Sequence, residues 1–444
     1  MVNKGVVFST AVVTTAAFFA YCFRSTAKLP KLKDEWWGEE KELDTRIIEF
    51  TIAVDDEILE DLNRRLELPL RSIPTLNGAA FSYGVSQSAM KKIHHFWRND
   101  YDWRKHESML NIYPSFKTQI EGLNIQFQRA TPSLQENVKV YPLLLLHGWP
   151  GSIVEFQKLL PLLLKPHKGI VFEVIVPSLP GYGWSEGAVK PGLGPAEMGQ
   201  IMVKLMDRLG YKKFFVQGGD WGAIIVSNMA AFFPERLLGL HLNMAIINTP
   251  MASLKAFIGS FFPSLVIEKE HQHLLYPLSE KLETLLRETG YLHLQATKPD
   301  TLGVGLDNSP LGLAAYIIEK FSTWTNKTWM YKEDGGLTEK FTMDELLTNV
   351  MVYWVTNSIT SSVRLYREQF ADPFKYPIDS IPCSVPTGIA AFPEEIFVQP
   401  QFMLKERFKN IVRFRYMPRG GHFAAFEEPQ LLAEEIFETF KLAL

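Results

Sequence analysis

The stretch Phe214-Phe215-Val216-Gln217-Gly218-Gly219-Asp220-Trp221-Gly222-Ala223 constrains this 444-residue chain more than any other. A β-branched and aromatic run meets two glycines, then a carboxylate, and an apolar helical pattern follows through Ile224, Ile225 and Val226. That order predicts a buried strand, a cramped turn and a helix. Glycines at 218 and 222 leave room for a turn so tight that its apex residue, Asp220, is thrust outward. Asp220 then lies at a helix N-terminus, where free backbone N–H groups and the helix dipole favour the ionised carboxylate. Taken alone, the segment also suits a plain Asp cap on a strand-to-helix junction, since Asp is a favoured N-cap. The rest of the chain decides between the two.

Upstream, the apolar run Tyr141 to Leu146 ends in His147-Gly148-Trp149-Pro150-Gly151-Ser152, and a helical pattern begins near Ile153. Short all-apolar runs suit strands of a parallel sheet buried on both faces. Near the C-terminus, Arg419-Gly420-Gly421-His422-Phe423 places a histidine on a glycine-rich loop. Of the ten histidines, His422 follows Asp220 in the right order for a general base. Between them, Phe392-Pro393-Glu394-Glu395 offers two acids to orient it. The sequence order of nucleophile, acid and histidine resembles that of the α/β-hydrolases, in which the elbow normally carries serine. In that arrangement the backbone N–H groups of Trp149 and Trp221 form the oxyanion hole, and His147 stabilises a turn. A carboxylate at the elbow attacks saturated, electrophilic carbon and leaves an ester. The implied chemistry is alkyl transfer, such as opening an epoxide or displacing a halide.

Five blocks carry a more specific resemblance: HGWPGS from His147, GGDWGA from Gly218, GYLHLQATKPDTLG from Gly290, SPLGLAAYIIEKFSTWTN from Ser309 and RGGHFAAFEEP from Arg419. On these the chain resembles the microsomal epoxide hydrolases, and among them the insect juvenile-hormone epoxide hydrolases, over nearly its whole length. The resemblance implies Asp220 as nucleophile, His422 as general base and Glu395 as orienting acid, with Glu394 the rival one residue away. It also implies Tyr291 and Tyr366 as donors to the epoxide oxygen, and neither cofactor nor metal. A phenol with a pKa of about 10 is a neutral proton donor at physiological pH, and two phenols share the charge that develops on the opening ring oxygen. A water deprotonated by His422 then attacks the ester carbonyl of Asp220, and a vicinal diol leaves. A dehalogenase of the same fold is the enzymatic alternative, although it calls for halide-binding Trp or Asn donors in place of the tyrosines. A catalytically silent lipid-binding relative is the other alternative, and the intact trio argues against it.

Composition excludes other classes. A net charge of −3 and the absence of a basic block leave no footprint for nucleic acid. Cys22 and Cys383 are the only cysteines, so no disulfide framework is implied. The Glu268-Lys269-Glu270-His271-Gln272-His273 cluster reads as a solvated face and not a metal site.

Gly5 to Phe23 is uncharged and apolar apart from hydroxyls, long enough for a hydrocarbon core of about 30 Å. Arg24, Lys28, Lys31 and Lys33 follow it, against Lys4 before it. The positive-inside rule then keeps the bulk of the chain in the cytosol. Residues 1–23 are therefore expected to anchor the protein by a single pass, with a monotopic attachment and a cleaved signal peptide as the alternative readings. The resemblance implies the endoplasmic reticulum membrane, a bilayer that dissolves lipophilic epoxides. On that orientation the Asn326-Lys327-Thr328 sequon is never glycosylated.

The expected fold class is α/β, a mostly parallel sheet flanked by helices, with a helical lid insertion. Residues 24–135 make a connector and N-terminal extension with the start of the core, including helices over Asp55 to Arg65 and Met90 to Trp97 and a hairpin turning at Glu121-Gly122. The core then runs over 136–250, the lid over 251–365 and the second part of the core over 366–444.

Overall fold

Leu143 to Leu146, Val174 to Val176 and Phe214 to Val216 are almost wholly inaccessible to solvent. Strands this apolar on both faces need a covering layer on each side, and that requirement dictates the architecture. The computed structural model describes residue 29 and residues 31–133, 136–371 and 377–444. The expected anchor, with Arg24 and Lys28, lies outside them. No described helix is long and apolar enough to cross a membrane.

The strands are β1 (Ile48–Phe50), β2 (Ser115–Ile120), β3 (Leu123–Ala130), β4 (Lys139–Leu146), β5 (Ile170–Pro177), β6 (Phe214–Gly218), β7 (Leu237–Leu242), β8 (Thr387–Ala391) and β9 (Ile411–Tyr416). They form one sheet in the order β1-β2-β3-β5-β4-β6-β7-β8-β9. Pairing is antiparallel from β1 to β5 and parallel from β5 to β9. The β2–β3 hairpin turns at Glu121 (φ +50°) and Gly122 (φ +83°). Two successive positive φ values match the twist of the flanking strands. The three-residue edge strand β1 has no counterpart in the sequence reading.

Helix Pro429–Ala443 packs on β7, β8 and β9. Helices Pro195–Arg208 and Asp220–Phe232 pack together over the other face. Between β7 and β8 the chain leaves the sheet for a helical insertion that runs from Pro250–Gly259 to Ile359–Ala371. This last helix crosses the expected boundary at residue 365 and carries Tyr366. It packs on helix Gly290–Thr297, which carries Tyr291. The helices Asp56–Leu66, Gln87–Asn99 and Trp103–Leu110, which precede the core, lie against insertion helices Pro310–Ile318 and Met343–Val355. The loops after β4, β6, β8 and β9 gather at the carboxyl ends of the parallel strands, where sites form in sheets of this kind.

Phe215 anchors β6 beneath that gathering. It is wholly buried, stacks on Phe440 at 4.2 Å between centroids and meets Tyr141 edge-on at 5.7 Å. Phe215→Ala is expected to lower unfolding free energy by about 3–5 kcal/mol in denaturant titration. A loss below about 1 kcal/mol would mean that the neighbours close over the gap.

Candidate active site

The turn after β6 is built by the absence of side chains. A Cβ on Gly222 would fall 2.1 Å from Leu146 O, so helix Asp220–Phe232 is able to lie directly on the end of β4. The turn leaves Asp220, the first helical residue, at φ +48°. Asp is one of the few residues to visit this left-handed region, at a cost of roughly 1–2 kcal/mol. Gly148 completes the approach, since a Cβ there would come within 2.1 Å of Asp220 Oδ1.

That oxygen accepts a hydrogen bond from Trp149 N–H at 2.7 Å. Oδ2 faces His422 Nε2 at 3.5 Å. His422 Nδ1 donates to Glu395 Oε1 at 2.8 Å, and Ile396 N–H donates to the same oxygen at 2.7 Å. Asp220, His422 and Glu395 thus form one chain of charges, two of them almost wholly buried. Glu394 points elsewhere, its Oε2 accepting from Lys327 N–H at 3.3 Å. The loop of His422 is held by its own N–H, which donates to Trp324 O at 2.9 Å.

Burial opposes charge on His422, but Glu395 and Asp220 outweigh it and hold the imidazole pKa well above its ordinary value. His147 behaves oppositely. Burial pushes it down to about 4, and its neutral ring bridges Gly148 O (3.1 Å) and Leu179 N–H (3.2 Å) as a turn brace.

Tyr291 and Tyr366 come together on the insertion side, ring centroids 5.8 Å apart and nearly perpendicular. Burial and the Asp220 carboxylate push both phenols well above their usual range, as does Tyr291 in the case of Tyr366, so both stay protonated. Tyr366 Oη is buried without a hydrogen-bond partner. The indole of Trp149 stacks on Tyr291 at 5.3 Å and meets Tyr366 edge-on. Trp221 contributes its ring, edge-on to Tyr366 at 4.7 Å, and its N–H makes no hydrogen bond to the Asp220 carboxylate.

Two contributors escaped the sequence reading. Trp324 packs on both Tyr291 and His422. Glu155 lines the same narrow cavity as Asp220 and His422. Its signal was a lone carboxylate within the apolar run Ile153-Val154-Glu155-Phe156. Among the described residues no group of His, Cys, Asp or Glu is arranged to hold a metal ion.

Fold and site together define a class: an α/β-hydrolase whose elbow carries a carboxylate where a hydroxyl is usual. Residues 141–429 match the alpha/beta hydrolase fold family, and residues 47–156 match the epoxide hydrolase N terminus. The chain is 49% identical over 427 residues to Juvenile hormone epoxide hydrolase 2 of Ctenocephalides felis, covering 94% of this chain and 92% of that one. It is 46% identical over 433 residues to Epoxide hydrolase 1 of Sus scrofa, covering 94% and 95%. The crystal structure of juvenile hormone epoxide hydrolase from the silkworm Bombyx mori matches with a TM-score of 0.91 at 45% identity, over 93% of this chain and 99% of that one. This chain belongs to the epoxide hydrolase family.

The charge chain makes a prediction. Asp220→Ala removes one of the two carboxylates that favour the imidazolium, so the pKa of His422 should fall, followed by NMR of the ring nitrogens. An unchanged value would leave Glu395 as the sole source of the shift.

Proposed function

We propose that this protein hydrolyses lipophilic epoxides to vicinal diols through an ester on Asp220, with juvenile-hormone epoxide its leading natural substrate and foreign epoxides second. The observation that carries the reading is the asymmetry of the Asp220 carboxylate. Oδ1 is tied to Trp149 N–H, while Oδ2 faces the site beside His422. Oδ2 attacks a ring carbon, the carbon–oxygen bond of the ring breaks, and the oxygen takes a proton from Tyr291 or Tyr366. Both phenols are protonated at neutral pH, and neutralising the Asp220 charge by alkylation removes one cause of their raised pKa values and makes them better donors as the ring oxygen needs a proton.

Alkylation makes Asp220 a neutral ester and withdraws one charge that had kept His422 protonated, so the imidazolium gives up its proton, which restores the phenol that donated to the ring oxygen. The imidazole, oriented by Glu395, becomes a base and takes a proton from water, whose oxygen adds to Cγ of Asp220. The tetrahedral oxyanion is held by Trp149 N–H, with Trp221 N–H as second donor once the carbonyl rehybridises. Collapse breaks the Cγ–O(alkyl) bond and releases the diol. The helical insertion serves as the lid that carries the phenols. Substrate identity rests on the likeness to the flea and silkworm proteins and on the aromatic wall of Trp149, Trp324, Tyr291 and Tyr366.

Residues 1–23 anchor the protein in the endoplasmic reticulum membrane on this reading, with the catalytic domain facing the cytosol. Support comes from the apolar run Gly5 to Phe23 and the basic residues that follow. Protease added to sealed microsomes should digest the catalytic domain; full protection would reverse the orientation.

The activity is tested by diol formation from a juvenile-hormone epoxide by membranes carrying the protein, beside its Asp220→Ala and His422→Gln forms. Asp220→Ala should abolish turnover. His422→Gln should accumulate the ester, seen as a substrate-sized mass increase on the Asp220 peptide. Turnover that survives Asp220→Ala would replace the ester by direct water attack. Halide release from haloalkanes with no diol from any epoxide would favour dehalogenation.

A further inference from the structure

The tight turn after Trp149-Pro150-Gly151-Ser152 spans Ile153–Phe156 and buries Ile153, Val154 and Phe156. Glu155 is the polar member of this turn, and its side chain is neither exposed nor paired with a cation. A Cβ on Gly151 would come within 1.3 Å of Glu155 Oε1, so the carboxyl group occupies the space a side chain at 151 would take. From there it lines the cavity shared by Gly148, Trp149, Asp220 and His422, whose lining contains no lysine or arginine. The ionisable groups around it are Asp220, His422 and Tyr353, whose hydroxyl donates to Gly151 O at 2.6 Å. Burial pushes the Glu155 pKa up to about 8, against the pull of His422. At neutral pH this residue is a carboxylic acid beside the nucleophile, adding no second negative charge there.

A hydrolytic water needs more than a base. Its lone pair must face Cγ of Asp220 while one hydrogen points to His422 Nε2, because Nδ1 is committed to Glu395. The second hydrogen needs an acceptor on the cavity wall, and a water held at one point only is poorly oriented for attack.

We propose that Glu155 is a positioning residue that holds the hydrolytic water, its carbonyl oxygen accepting the hydrogen that the water does not give to His422. This inference rests on the ester mechanism above. The water oxygen bonds to Cγ of Asp220 as one proton moves to His422 Nε2. The Cγ–O(alkyl) bond breaks and the departing oxygen takes that proton back. The remaining water hydrogen, carried on the new carboxyl group against Glu155, passes to His422 and restores the carboxylate–imidazolium pair. Gln217, whose Oε1 is buried without a partner on the same cavity, is the rival acceptor.

The two half-reactions separate this role from a packing role. In single-turnover experiments with the full chain and an aromatic epoxide, Glu155→Leu should form the Asp220 ester at close to the parent rate. It should hydrolyse that ester about tenfold more slowly, so that the ester accumulates by mass. Glu155→Gln keeps a carbonyl oxygen in place and should stay within about threefold of the parent in hydrolysis. Parent-like hydrolysis by Glu155→Leu would overturn the proposal and pass the role to Gln217. An equal slowing of both steps in both variants would also overturn it, leaving Glu155 a packing residue. If neither the parent nor His422→Gln ever forms an ester, the ester mechanism itself fails and takes this inference with it.

Discussion

The site depends on how closely two backbones approach at the elbow. With no side chain at 222, helix Asp220–Phe232 lies on the last residues of β4, and Leu146 O comes where a Cβ would otherwise be. The turn that permits this forces Asp220 into the left-handed region. The conformational cost of roughly 1–2 kcal/mol is small beside the burial of β4 and β6 that enforces it. Gly148 gives way from the other side. The carboxylate and the Trp149 amide are thus brought to 2.7 Å by the elbow and the loop after β4.

On that frame burial, Glu395 and the Asp220 charge together set the direction in which the neighbouring groups titrate. Asp220 raises the pKa values of Tyr291 and Tyr366, where burial acts in the same direction, and that of His422, where burial acts against it. In the proposed mechanism this gives the steps their order. While Asp220 is ionised, the phenols keep the protons that ring opening needs and the imidazole is poorly fitted to deprotonate water. Once the ester forms, the charge is gone and the imidazole is freed to act. No conformational change is needed to separate the half-reactions.

What the sequence made legible was local. The elbow, the loop after β4, the glycine-rich loop of His422 and the β2–β3 hairpin are each written in turn chemistry next to an apolar run, so each could be placed without tertiary information. Glu395 and Glu394 could not be told apart in that way, because they lie in an irregular loop after β8 where no period assigns a side. What separates them is the turn itself: Glu395 N–H bonds to Phe392 O, Glu394 N–H bonds to Gly420 O, and only the former carboxylate faces His422. Glu155 and the Trp324 ring were illegible for another reason. A carboxylate in an apolar run and a tryptophan just past the end of an insertion helix become parts of a site only when four separate segments pack around one cavity. The edge strand β1 is too short for alternation to be seen.

The N-terminal extension has a physical task that its own sequence does not announce. The insertion leaves the sheet after β7 and returns at β8. Helices Asp56–Leu66, Gln87–Asn99 and Trp103–Leu110 close on it from outside. Arg65 bonds to Asn308 O at 2.8 Å, the hydroxyls of Tyr101 and Thr348 are 3.0 Å apart, and His106 meets Asp344 at 2.9 Å. The clamped helix Met343–Val355 in turn grips the loop after β4. Asn349 donates to Pro150 O at 2.7 Å and accepts from Ser152 Oγ at 2.8 Å, and Tyr353 donates to Gly151 O. That loop supplies the Trp149 N–H. The extension is therefore linked to the Asp220 carboxylate through two layers of hydrogen bonds, a partly exposed outer one and a buried inner one, and the amide that holds Oδ1 is fixed by the sheet on one side and by the clamped insertion on the other.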